Sequence, residues 1–158
     1  MSAPSVRPAT PADADLIHGF VVELAAYEKL AHEVRSTPAD MAAALTGRAF
    51  AEIVELGGEP VGFSLGFYTF STFVGRSGIY LEDLYVRPSA RGQGAGKALL
   101  VSLARRCVAE TLGRLEWAVL DWNAPAIGFY ERIGSEPMDD WTVRRLTGEA
   151  LIRLADGG

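Results

Sequence analysis

Two short stretches of the chain hold residues whose types and spacing could do chemistry. The first is Arg91-Gly92-Gln93-Gly94-Ala95-Gly96-Lys97, placed between an apolar run and the apolar start of a helix. Small residues let backbone N–H groups approach a ligand closely, and a helix N-terminus adds unpaired donors and the positive end of a dipole. Such a loop can cradle a phosphate or pyrophosphate, or it can be a turn that packs helix on strand. The second stretch is Glu82-Asp83, which interrupts an otherwise apolar strand. A carboxylate pair in a buried strand needs partners or a purpose. Regular strand alternation would send the two side chains to opposite faces.

Spacing separates the phosphate motifs. In a P-loop, Arg91 would occupy the place of the first glycine and Ala98 that of the magnesium-binding hydroxyl. The dinucleotide fingerprint GxGxxG is one residue too long for Gly92, Gly94 and Gly96. Its acidic ribose partner would fall near Glu110, still inside the helix. The pattern that fits is [RQ]xxGx[GA], filled by Arg91 through Gly96.

The elements that must position these residues follow from periodicity and caps. A short strand ends near Val6-Arg7. Thr10-Pro11-Ala12-Asp13 starts a helix that carries Leu16, Ile17, Phe20, Val21 and Leu24 at helical spacing and runs to about Lys29. Thr37-Pro38-Ala39-Asp40 starts a shorter one. Residues 50–56 and 61–70 read as strands joined at Gly57-Gly58, and 79–86 as a central apolar strand. A helix over 94–112 then crosses to a strand over 115–120, parallel to 79–86. Asn123 caps another helix to about Gly134, and 141–146 reads as a last strand. The expected class is mixed α/β, with a mixed central sheet and helices on both faces.

The 158-residue length favours one domain spanning the chain. The lone Cys107, read as core, and two histidines argue against disulfides or a metal site. The net charge of -5 argues against nucleic acid and suits a cationic small molecule. Without an apolar span or signal peptide, the expected location is the cytoplasm, with no membrane partner.

The segment LYVRPSARGQGAGKALL resembles the acetyl-CoA signature of the GNAT N-acetyltransferases. ELAAYE, YLEDLYV and DWNAPAIGFYERIG, together with the Val6-Arg7-Pro8-Ala9-Thr10 start, resemble the diamine acetyltransferases, among them the spermidine/spermine and thialysine enzymes. The resemblance implies a GNAT fold with splayed central parallel strands and a homodimer. It implies transfer of acetyl from acetyl-CoA to a primary amine of a diamine, polyamine or lysine-like acceptor, by direct attack and without a metal. A protein or peptide N-acetyltransferase and a CoA-binding sensor without turnover are the alternatives.

The same resemblance gives the residues their roles. Arg91, Gly92, Gln93, Gly94, Ala95, Gly96 and Lys97 would hold the pyrophosphate. Leu84, Tyr85 and Val86, where the family's strand bulges, would offer backbone amides. Asn123, Pro125 and Ala126 would meet the CoA arm, although Asn123 is also a good helix cap. Glu82 would accept the amine's proton. Tyr130 would protonate the leaving thiolate, although it also continues the apolar stripe Ile127-Tyr130-Ile133. Tyr27, Glu28, Glu82, Asp83 and Asp139 would bind the acceptor, Tyr27 being alternatively a core residue. Where the family often carries a basic residue near CoA, this chain has Ile133, so Arg87, Arg91 or Lys97 must supply phosphate charge.

Overall fold

The two Thr-Pro start signals both open helices. In the computed structural model, which describes residues 2–157, Thr10 begins a single 3-10 turn that leads into α1, Ala14–Tyr27. Thr37 caps α2, Pro38–Leu45: its N–H donates to Asp40 Oδ2 at 2.7 Å and its hydroxyl accepts from the Asp40 N–H at 3.4 Å. A reciprocal cap of this kind satisfies backbone donors that the helix cannot.

The sheet has five strands in the order β1-β2-β3-β4-β5. They are β1 (Ser5–Pro8), β2 (Ala49–Leu56), β3 (Glu59–Ser71), β4 (Arg76–Val86) and β5 (Leu115–Trp117). The first four are antiparallel neighbours. Helix α3, Ala95–Ala109, crosses over to make β5 parallel to β4. Arg7 ties the first elements together, at 2.8 Å from Glu55 on β2 and 2.9 Å from Asp13 before α1.

Strand alternation sorts the core to two faces. On one, Ile17 and Phe20 of α1 pack on Ala51, Ile53, Phe63 and Tyr85, with Met41 and Leu45 of α2 beside them. On the other, Ala95 and Leu99 of α3 pack on Val54, Val6, Val61, Leu84 and Val86. The acidic interruption of β2, Glu52, also faces α3, where Ser102 Oγ donates to it at 2.9 Å. The mixed sheet with helices on both faces is the expected class.

The chain divides into two compact units at Leu120/Asp121. The second contains α4, Ala124–Arg132, and α5, Gly148–Ala155. Two expectations fail in this part of the chain. The strand expected over 115–120 stops at Trp117, because its ladder with β4 ends at the Leu81–Trp117 pair. Residues 141–146 form no strand. A strand needs a ladder partner, and the regular elements of this unit are both helices. Helix α5 was not anticipated; its Thr147-Gly148 start has no proline and no side-chain cap hydrogen bond, unlike the Thr37-Pro38 start of α2.

Candidate active site

The glycine loop is built from backbone conformation. Gly92 and Gly94 have φ of 75° and 83°, the left-handed region that other residues enter only with strain. Space is not what demands glycine there. A Cβ on Gly94 would meet only Pro4 Cγ, at 3.8 Å, and one on Gly92 would meet nothing within 4 Å. Ala98 N–H donates to the Gly94 carbonyl at 2.9 Å. The amides of residues 95–97 therefore stand ahead of the helical ladder, at the positive end of the dipole. Buried Ala95 and Leu99 pin the helix to the sheet, while Gln93 and Lys97 stay exposed.

The cations near the loop divide between structure and availability. Arg87 is committed to Glu23, with Nε and Nη2 each 3.1 Å from its carboxylate, and lies 4.8 Å over the Phe20 ring. It is not available as the phosphate charge considered above. Arg91 Nε donates to the Val86 carbonyl at 2.9 Å, and its guanidinium lies 4.6 Å over the Tyr27 ring. Exposed Lys97 and the outer nitrogens of Arg91 remain as candidates for an anion. The open cradle, its left-handed glycines and its leading amides fit a pyrophosphate.

The strand beside the loop is splayed and bulged. β5 pairs with β4 only from Ile79 to Leu81, so β4 continues through Val86 without that neighbour. Across β3, Leu65 is opposite Asp83 while Gly66 is opposite Leu81. Glu82 is thus an extra residue in the ladder, a β-bulge. The bulge expected at Leu84, Tyr85 and Val86 lies instead two residues earlier, at Glu82; those three pair regularly with Ser64, Phe63 and Gly62. Gly66 permits the close approach: a Cβ there would lie 2.9 Å from the Tyr80 carbonyl oxygen.

The bulge overturns the expectation that Glu82 and Asp83 face opposite ways. An extra residue breaks the period-two alternation, and both side chains line one open pocket of about 460 Å³. Helix α1 supplies Leu24 to it, the C-cap of that helix supplies Glu28, and the segment that follows supplies Glu33, Arg35 and Ser36. Burial, then the charges of Glu82 and Glu28, push the Asp83 carboxyl up to about 6. Burial also raises Glu28. A carboxylate so placed is a stronger base than an ordinary one, and it is still ionised at neutral pH.

The structure places the remaining predicted residues as follows. Tyr27 is exposed and lies under Arg91, outside the core; Glu28, next in sequence, turns into the pocket. Tyr85 is buried against Phe20, and its amide points into the ladder with β3 rather than toward a ligand. In the second unit, Asn123 Oδ1 accepts from the Ala126 N–H at 3.4 Å, with Pro125 in the first turn of α4. Tyr130 lies on α4, its ring 5.7 Å from that of Phe129 and its carbonyl accepting from Ser135 Oγ at 2.8 Å. Asp139 is exposed in a segment without regular structure. Sequence reasoning missed Glu33, Arg35 and Ser36, which come from a three-residue 3-10 turn and the irregular stretch after it, with no periodicity to read. Among the described residues no His, Cys, Asp or Glu cluster could hold a metal ion, and no helix is long and apolar enough to cross a membrane.

Known proteins agree with this geometry. The Acetyltransferase (GNAT) family model matches residues 20–134 and so continues past Leu120 into the second unit. The chain is 35% identical over 164 residues to thialysine N-epsilon-acetyltransferase of Bos taurus, covering 95% of this chain and 96% of that one. It is 29% identical to L-ornithine N5-acetyltransferase of Arabidopsis thaliana, covering 92% of this chain and 85% of the relative. Among solved structures, an integron cassette protein from the mobile metagenome of V. cholerae has a TM-score of 0.80 at 24% identity, covering 99% of this chain and all of that one. A ribosomal-protein-alanine N-acetyltransferase from Brucella melitensis has a TM-score of 0.74 at 21% identity, covering 92% of this chain and 99% of that one. The two structures share the fold; the family model and the thialysine relative decide membership. The chain belongs to the GNAT acetyltransferase family.

Proposed function

We propose that this acetyltransferase moves an acetyl group from acetyl-CoA to a primary amine of a small cationic acceptor. The observation that carries the reading is the Glu82 bulge, which turns two adjacent carboxylates into one open pocket beside a splayed pair of parallel strands. Relatives named for thialysine and ornithine, both small amines, support it.

Acetyl-CoA supplies the acetyl group as a thioester. The loop from Arg91 to Lys97 holds its pyrophosphate, and Asn123, Pro125 and Ala126 hold its arm. An alkylamine with a pKa near 10 is mostly protonated at neutral pH, so it must lose a proton before it attacks. Glu28 and Glu82 bind the ammonium, and Asp83 takes its proton through water. Asp83 thereby assumes the base role expected of Glu82, because its carboxyl is the one raised to about 6. The neutral nitrogen then attacks the thioester carbon, forming C–N as C–S breaks. Amides of Leu84 and Val86, which point away from β3 while that of Tyr85 points into the ladder, donate to the developing oxyanion. Tyr130 protonates the departing thiolate, and the second proton shed by the nitrogen as the amide forms returns through water to the Tyr130 phenolate. The active form is a cytoplasmic homodimer.

The test is release of CoA thiol from acetyl-CoA with a panel of diamines, polyamines, diamino acids and peptides. The reading expects release with the small amines, saturating in both substrates. Release with peptides alone would favour a protein N-acetyltransferase. Tight CoA binding with no release would favour a sensor.

A further inference from the structure

The pocket holds two kinds of charge. Four of its side chains, Glu28, Glu33, Glu82 and Asp83, are acidic, and Arg35 is cationic. An arginine beside carboxylates ordinarily neutralises one of them. Arg35 does not: it is exposed and makes no ion pair with another described residue. Glu33 is instead 3.4 Å from the neighbouring His32.

The backbone that carries Arg35 is held in place. Leu30 N–H donates to the Ala25 carbonyl at 2.8 Å and Glu33 N–H to the Leu30 carbonyl at 2.9 Å. On the other side, His18 Nε2 lies 2.8 Å from the Ser36 carbonyl, and the Thr37 cap follows. The backbone on either side of Arg35 is therefore held at the pocket wall, while its guanidinium makes no ion pair with another described residue. A planar guanidinium with five donors is the side chain best matched to a carboxylate.

We propose that Arg35 is a specificity-determining residue that binds the α-carboxylate of the acceptor, so that the preferred substrate is a diamino acid rather than a simple diamine. This rests on the acetyl-transfer reading above. The acidic groups receive the reacting amine, and Arg35 receives the far, anionic end of the same molecule. A simple diamine has nothing to offer Arg35 and places a second cation near it.

Matched pairs of acceptors test this directly, since L-ornithine and L-lysine differ from 1,4-diaminobutane and 1,5-diaminopentane only by the carboxylate. For the wild type, kcat/KM should favour each amino acid over its decarboxylated partner. Arg35→Gln should lower kcat/KM for the amino acids about 10- to 100-fold, the range of a charge-assisted hydrogen bond. The loss should fall mainly in KM, because the carboxylate is remote from the reacting carbon. The diamines should change less than about threefold or improve, and Arg35→Lys should keep part of the preference. Equal effects of Arg35→Gln on both classes, or a wild-type preference for the diamines, would overturn the Arg35 assignment and leave the acetyl-transfer reading standing. No turnover with any of the four compounds would overturn both.

Discussion

The glycine loop and the acidic pocket lie in the same unit and depend on different chemistry. The loop works through main-chain atoms: left-handed Gly92 and Gly94, and the leading amides of α3. The pocket works through side chains gathered from α1, from the segment that follows it, and from the β4 bulge. A backbone site is contiguous and tolerates change in side chains but not in φ. A side-chain site is assembled from distant pieces and tolerates change in the backbone far less than it shows. Perturbing one while leaving the other intact is the way to separate them.

The largest expected effect is at Asp83. Asp83→Asn should lower kcat about 10²- to 10⁴-fold, the range for loss of a general base, with CoA affinity unchanged. The same variant should be more stable. Because folding raises this carboxyl above its ordinary 3.8 to about 6, the folded state binds the proton more tightly. Its stability contribution is full below 3.8 and is lost as pH rises through about 6. Removing the charge should therefore add about 1–2 kcal/mol at pH 8 by thermal unfolding, less than the full linkage because the pocket is open to water.

Next is Gly94→Val, which forces a branched residue into the left-handed region at a cost of about 1–2 kcal/mol. It should lower CoA affinity at least about tenfold by calorimetry. A variant of unchanged affinity would make the loop a turn only. Tyr130→Phe should slow turnover about 10²-fold or more with acetyl-CoA binding retained. Glu28→Gln should move the acidic limb of kcat/KM to lower pH by a fraction of a unit, because the Glu28 charge helps raise Asp83. The smallest effect is Gly96→Ala. Its Cβ would sit 3.8 Å from Val86 Cγ2, an ordinary contact, so CoA binding should persist and stability rise by about 0.5 kcal/mol.

The same contrast explains what was legible in the sequence. The loop's conformation could be read because it lies in consecutive residues whose order fixes φ and helix start. The sheet could be read through β4 because apolar runs, Gly turns and the crossover helix agree. The bulge could not, since an extra residue exists only relative to a partner strand, here at Leu65 and Gly66. Arg35 and Glu33 had no periodicity to announce them. Their place depends on bonds such as His18 to the Ser36 carbonyl, which join residues far apart in the chain. Residues 141–146 misled for the opposite reason: Trp141, Val143 and Leu146 look strand-like, but a pattern without a ladder partner makes no strand.

In the proposed mechanism the Glu82 bulge makes Asp83 the base for an amine held in the acidic pocket. That role is tested most directly by the pH dependence of kcat/KM for acetylation of L-ornithine, in the wild type and in Glu82→Gln. The wild type should show an acidic limb near pH 6, set by Asp83, which shifts to lower pH but persists when Glu82 is neutralised. Loss of that limb in Glu82→Gln, with Asp83 intact, would contradict the Asp83 assignment and return the base role to Glu82.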